Sequence, residues 1–152
     1  MNIVKSKKQK KKYFKIIISL LMIMIVLVML NIMREYLTVS KFLELNWNIT
    51  IPSDLKEEYY IDTGSSFHGD GERYSIFSGS KLIMNFNNQK DKKLEQKVYK
   101  LNKKLNIPKE NQIDFAHEYV WKKIVNRNDE RDELYIIYDC ELNKYYFYEL
   151  FV

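Results

Sequence analysis

The chain has 152 residues, of which 46% are hydrophobic, and its 25 basic and 20 acidic side chains give a formal net charge of +5. A single Cys excludes a disulfide framework within the chain, and four Gly with two Pro exclude a collagen-like or Pro/Gly-rich disordered chain. The length allows one small domain. The basic charge is concentrated in the first fifteen residues, which hold seven Lys and no acid: Lys5, Lys7, Lys8, Lys10, Lys11, Lys12 and Lys15. The remaining 18 basic and 20 acidic residues leave the rest of the chain near neutral, at −2.

An uninterrupted apolar segment follows this basic tail. The 18 residues from Ile16 to Met33 include two polar side chains and no charge. As a helix they would extend about 27 Å, close to the roughly 30 Å of a membrane hydrocarbon core. Apolar residues occupy every face, which is not typical of an amphipathic surface helix. Residues 16–33 are therefore predicted to be a transmembrane signal anchor.

The charges on the two sides of this segment predict its orientation. Six of the Lys lie close before it (Lys7, Lys8, Lys10, Lys11, Lys12 and Lys15), whereas only Arg34 closely follows it. The positive-inside rule then makes residues 1–15 a cytoplasmic tail and places the carboxy-terminal domain outside the cell membrane. The Lys run suits anionic lipid headgroups. Binding to nucleic acid is not expected, because the tail has almost no interleaved aromatic residues.

The alternative is a secretory signal that is cleaved, which would leave a secreted protein. The apolar region of such a signal is usually shorter, at roughly 7–15 residues, and ends near an Ala-x-Ala-like site. Thr38-Val39-Ser40 is the only tolerable small-x-small site here, and it lies rather far from the apolar segment. An uncleaved anchor is the preferred interpretation.

Residues 34–46 have apolar side chains at three- and four-residue spacing, which predicts a helical stalk that continues the anchor. From Trp47 to Ile51 apolar and polar residues alternate, which predicts a strand that ends at Pro52. Residues 47–152 are then expected to form the extracytoplasmic domain.

Two further strands are predicted at 57–62 and 72–77, joined by a Gly-rich loop. An amphipathic helix is predicted over 88–105, with Asp91 or Asn88 as its cap. Residues 114–125 fit either a helix or a strand, and a strand over 118–125 is preferred.

The carboxy terminus predicts a Tyr-rich hairpin, with strands at 133–139 and 144–152. Its apolar side chains fall on both faces, so it must be covered on both sides or pair centrally. The fold class that follows is α+β, with a small antiparallel sheet of four to five strands and one or two packed helices.

The Gly-rich loop carries the candidate chemistry. Asp62-Thr63-Gly64-Ser65 resembles the active-site loop of aspartic proteases, in which the Asp shares a proton with a second Asp. The segment that such small proteases need later in the chain is missing, because no Gly follows Gly79. The structural alternative is a hairpin loop in which Asp62 accepts hydrogen bonds from nearby backbone N–H groups.

The same loop holds metal-ligating residue types. His68, Asp70 and Glu72, with Asp62 nearby, suit Zn²⁺, Mn²⁺ or Ca²⁺, and His117-Glu118 could complete such a site from afar. Nothing in their spacing is as specific as a Cys-x-x-Cys pair. A solvated turn is the alternative, and no cofactor is expected. Cys140 is expected to be an inert thiol in a turn.

Ser66-Phe67-His68-Gly69-Asp70-Gly71-Glu72, together with the Tyr-rich hairpin over 134–152, resembles small membrane-anchored or secreted proteins of low-GC Gram-positive bacteria. The resemblance implies a bacterial source and covers about half of the outer part. It implies no particular activity, so the loop residues Asp62, Ser66, His68, Asp70 and Glu72 stand as binding candidates only.

Three functional hypotheses remain. The first is a binding or interaction module for a protein or peptide outside the membrane, with the Gly-rich loop and the Tyr-rich hairpin as contact surfaces. The second is a metal-dependent or aspartic-type hydrolase centred on residues 62–72. The third, by analogy with other small single-pass proteins, is an immunity or self-protection protein.

Overall fold

The computed structural model describes the backbone of residues 2–36, 38–64 and 71–152. The chain divides into two compact units, Met1–Thr38 and Val39–Val152. The first unit is one helix, α1 (Asn2–Tyr36). Within it, the 20 residues Tyr13–Ile32 are long and apolar enough to cross a membrane, and none of their side chains is buried. A signal sequence has the same properties.

The second unit is an α+β domain built on a five-stranded antiparallel sheet. Its elements are α2 (Val39–Trp47), β1 (Lys56–Asp62), β2 (Gly71–Ser78), α3 (Lys92–Lys104), β3 (Tyr119–Val125), β4 (Glu133–Asp139) and β5 (Lys144–Phe151). The strand order is β1-β2-β5-β4-β3, which puts β5 in the centre and leaves β1 and β3 at the edges. The predicted fold class is confirmed, and so are the strands expected near 57–62, 72–77, 118–125, 133–139 and 144–152.

Each face of the sheet carries its own apolar cluster, because the central strands have apolar side chains on both faces. On one face, α3 buries Leu94, Val98 and Leu101, with Leu105 just beyond it, against tyrosines of the sheet. The four leucine and valine positions are the ones that the 3.6-residue periodicity selects. Most of the Tyr-rich hairpin is therefore core, with Tyr145, Tyr146, Phe147 and Tyr148 buried, so little of it is exposed as a contact surface.

The opposite face is covered by α2, whose Val39, Leu43 and Trp47 are buried against β2, β4 and β5. The expected stalk, residues 34–46, is thus divided between the end of α1 and α2, and its second part packs on the sheet. This side of the sheet is the α2 face, and the side covered by α3 is the α3 face.

The strand predicted over 47–51 is wrong. The helix continues to Trp47, and Asn48 then adopts a left-handed conformation with φ 51°, which ends it. Ile49 is partly buried and Ile51 is buried at 7% exposure, so the alternation of burial is real. It arises because this segment lies across the α2 face of the sheet rather than in the sheet.

The helix predicted over 88–105 is confirmed with a later start, at Lys92. Of the two candidate caps, Asp91 is the one used: its carboxylate accepts hydrogen bonds from the backbone N–H groups of Lys93 (2.8 Å) and Leu94 (3.3 Å). Asn106, with φ 52°, follows the helix and turns the chain toward Pro108.

Candidate functional site

The Gly-rich loop joins β1 to β2, and its base is closed by Thr63. The Thr63 hydroxyl donates to the Glu72 carbonyl (3.1 Å) and accepts from the Glu72 N–H (3.0 Å). A Cβ on Gly71 would lie 2.7 Å from the Gly64 carbonyl oxygen, so this close approach of the two chains requires a glycine at 71. Ser66, His68 and Asp70, and with them most of the motif that carries the family resemblance, lie outside the described residues.

Asp62 is held at the end of β1 by three donors. Its carboxylate accepts hydrogen bonds from the Gly64 N–H (2.8 Å), the Tyr60 hydroxyl (3.0 Å) and Arg73 Nε (3.0 Å). Burial by itself would raise the pKa of Asp62, but the hydrogen bond from Gly64 and those from Tyr60 and Arg73 outweigh burial and lower the pKa. Asp62 is therefore ionised at neutral pH and is paired with a guanidinium, not with a second carboxyl of the described chain.

Arg73 is the centre of a row of charged side chains across the sheet. It lies opposite Asp62 in the β1–β2 register and opposite Glu149 in the β2–β5 register, so all three share the α2 face. Its guanidinium lies 4.9 Å from the ring centre of Phe151 and 5.8 Å from that of Phe42. Two rings and a carboxylate thus fix the cation in position.

Glu149 is the buried end of this row, with 2% of the residue exposed. Its Oε2 accepts a hydrogen bond of 2.6 Å from Trp47 Nε1, which ties α2 to the central strand. Burial raises the pKa of Glu149, although the Trp47 bond and the nearby Arg73 charge both oppose the shift. Glu149 is not among the residues predicted from the sequence; the available signal was a lone acid at an inward-facing position of an aromatic strand.

Glu72 lies on the other side of the sheet from Asp62. Because Arg73 shares the α2 face with Asp62, its neighbour Glu72 points to the α3 face, where it forms an ion pair with Lys104 of α3. The structure therefore does not bring these two candidate residues together. Among the described residues, no group of three or more His, Cys, Asp or Glu side chains could hold a metal ion.

His117 and Asp139 form a second polar pair at the start of β3. His117 Nδ1 lies 2.7 Å from Asp139 Oδ2, and Nε2 lies 3.8 Å from the Glu141 carboxylate. The hydrogen bond to Asp139 raises the pKa of His117. Asp139 also accepts from the backbone N–H groups of Glu141 and Leu142, both at 2.9 Å, so it shapes the β4–β5 turn.

Cys140 occupies that turn and is exposed. Partial desolvation of its thiol, with the nearby Glu118 and Asp139 carboxylates, raises its pKa. A nucleophilic cysteine needs a lowered pKa, so these surroundings do not activate Cys140 as a catalytic nucleophile, although its exposed thiol can still react with added reagents.

No protein-family model, curated protein or solved structure matches the chain.

Proposed function

We propose that the chain is a single-pass membrane protein that holds an α+β binding module on the outer side of a bacterial membrane. The observation that carries this proposal is the stretch Tyr13–Ile32 of α1, whose apolar side chains are all open to the surroundings within its own unit. Water would penalise such a surface by about 25 cal/mol per Å² of apolar area, so this segment needs a lipid environment. The seven preceding Lys orient the span with its amino terminus in the cytoplasm.

A binding role is supported by how the candidate catalytic groups are used. Asp62 is paired with Arg73, His117 is paired with Asp139, and the Cys140 thiol has a raised pKa. The Asp62 contacts stabilise a strand end and the Asp139 contacts stabilise a turn, whereas the Cys140 thiol is not activated. The interaction hypothesis therefore explains the described polar residues better than the hydrolase hypothesis does.

The orientation is tested with reporters fused after Val152 in bacterial cells. We expect an alkaline phosphatase fusion to be active and a green fluorescent protein fusion to be dark, because the first needs export and the second needs the cytoplasm. Replacing the six Lys at 7, 8, 10, 11, 12 and 15 by Gln should weaken this bias. A fluorescent and phosphatase-negative wild-type fusion would refute the proposed orientation.

Cleavage is tested separately by intact mass. An uncleaved anchor predicts that the mass of the purified chain includes α1 and that the chain sediments with membranes after alkaline carbonate washing. A soluble product that begins near Lys41, just after Thr38-Val39-Ser40, would support secretion instead.

A further inference from the structure

Strand β3 leaves part of its outer edge unpaired. It is the last strand of the sheet, and among the described residues only Asn87 forms a bridge beyond it, through Trp121 (2.7 and 2.9 Å). Residues two apart along a strand direct their N–H and C=O groups to the same side, so Lys123 and Val125 also direct theirs outward. In the described part of the chain, no backbone group pairs with these two residues on that side.

A groove runs beside this open edge on the α2 face, and it is mainly apolar beside Ile83 and Met84 and more polar beside Asn126 and Asn128. It consists of two adjoining depressions of about 360 and 370 Å³, which share Asn48, Ile49 and Ile124. Two large apolar side chains border it without cover: Ile83 is 101% exposed and Leu45 is 62% exposed. Apolar surface that surrounds a groove is typical of a binding site.

The groove has a cation in each half. Lys122 lines the first depression and Arg127 lines the second. Neither forms an ion pair with any residue that the structure describes, whereas the neighbouring Lys123 lies on the α3 face and is bound to Glu133. The groove therefore presents an apolar centre with an unneutralised positive charge toward each end.

We propose that this edge and groove bind an extended acidic peptide of a partner protein, which adds to the sheet as a sixth strand beside Lys123 and Val125. Its backbone would pair with the four outward groups of these residues, and its alternate side chains would face the groove. The matching pattern on that face is an acid opposite Lys122, an apolar residue opposite Ile124 and a second acid near Arg127. This proposal rests on the proposed function, because it names the class of partner that the binding module would bind.

A second copy of the chain fits the edge less well. Strand β3 carries Lys122 and Lys123 and no acidic residue, so antiparallel pairing of two β3 edges would add like charges and leave the cations of both copies unneutralised. The other edge strand, β1, has the acidic charge but contains a bulge between Glu57 and Tyr59. Bulges of this kind hinder edge-to-edge pairing.

The test uses the full chain in detergent micelles and a fluorescein-labelled peptide, Thr-Glu-Thr-Ile-Thr-Glu-Thr, followed by fluorescence anisotropy. We expect saturable binding that weakens at least tenfold when both Glu are Lys, and at least tenfold when the central backbone amides are N-methylated. Equal affinity for the Glu and Lys peptides, unchanged affinity after N-methylation, or no saturation would each overturn the proposal.

Two variants assign the site. Lys122→Glu with Arg127→Glu should reverse the preference toward the Lys peptide, whereas Lys100→Glu with Lys103→Glu, a matched charge change on the exposed side of α3, should not. Val125→Pro removes one outward N–H without removing a bond to β4 and should weaken binding at least tenfold. Circular dichroism verifies that each variant is folded.

Two outcomes distinguish this proposal from self-association of the chain and from the proposed membrane topology. Concentration-dependent self-association that competes with the peptide would replace the partner peptide by a second copy and overturn the proposal. Peptide binding in micelles does not depend on membrane orientation, so a cytoplasmic reporter at Val152 would refute the proposed topology and leave the binding result intact.

Discussion

Glu149 is an acid placed where burial makes its charge costly, and this has a consequence for pH dependence. Its folded-state pKa is raised, so the stabilisation that its proton provides is complete below the unfolded pKa and is lost as pH rises through the folded value. Gln at this position keeps an oxygen for Trp47 Nε1 and cannot ionise. We expect Glu149→Gln to gain unfolding free energy relative to wild type as pH rises from 4 to 8.

The measurement is urea unfolding at several pH values, followed by Trp fluorescence. Glu130→Gln is the control, because Glu130 is exposed and its replacement should not change the slope with pH. A constant difference between Glu149→Gln and wild type across the range would show that Glu149 is not protonated more readily in the folded state.

His117 gives a second prediction from a single contact. Its hydrogen bond to Asp139 raises its pKa, so a proton titration by nuclear magnetic resonance should give a midpoint above about 6.5. Asp139→Asn keeps an acceptor for the turn amides but removes the charge, and should lower that midpoint. Glu141→Gln should lower it less, since its carboxylate lies 3.8 Å away. The interpretation fails if Asp139→Asn leaves the midpoint unchanged.

At the residue scale, the sequence could name Asp62 but not its partners. The interpretation of Asp62 as an acceptor for local N–H groups agrees with the bond from Gly64. The Arg73 pair and the Glu149 row depend on the β1–β2 and β2–β5 registers, and the second joins strands about 70 residues apart. Periodicity within one strand carries no information on which distant residue lies opposite.

At the element scale, α2 is the helix whose role sequence analysis described least well. Leu43 is 0% exposed on its inner side, whereas Leu45 is 62% exposed on the same helix. Leu43→Ala should therefore cost about 2–5 kcal/mol of unfolding free energy. Leu45→Ala should change it by no more than about 0.5 kcal/mol. Denaturant unfolding of the two variants makes the comparison, and equal small effects would mean that α2 does not pack on the sheet.

The cap of α3 gives a prediction for the opposite face. Asp91→Ala removes the acceptor for two backbone N–H groups and should cost about 1 kcal/mol. Asp91→Asn keeps an oxygen in the same place and should cost less. Thermal unfolding followed by circular dichroism distinguishes them, and identical losses for Ala and Asn would argue that the side chain does not act as a cap.

Elements with a strong hydrophobic period were predictable from the sequence. The segment 47–51 was not, because its structure depends on whether a neighbouring strand is present. Helix α3 and the β4–β5 hairpin agree with the sequence prediction because their patterns extend over several turns or a full strand. The alternating segment 47–51 has the same period-2 pattern as a strand, yet it has no strand beside it. Alternation of apolar and polar residues indicates which side chains are buried. It does not indicate whether the backbone forms hydrogen bonds with a neighbouring strand.

At the scale of the whole molecule, the charge and the apolar content belong to different parts. Seven of the 25 basic residues lie within the first fifteen residues. A large share of the exposed apolar side chains lies in Tyr13–Ile32. The domain that follows covers both faces of its sheet with its own apolar clusters. These properties suit a chain in which the amino-terminal segment acts as a tether and the second unit is the folded module.

The most direct test of that account uses the chain's own cysteine. Cys140 is the single Cys, it is exposed, and it lies in the second unit. Intact bacterial cells that express the protein are treated at pH 8 with a membrane-impermeant maleimide, with Cys140→Ser as the control for specificity. The proposed topology predicts labelling in intact cells that does not increase after lysis. Labelling that occurs only after lysis would place the domain in the cytoplasm and contradict the account.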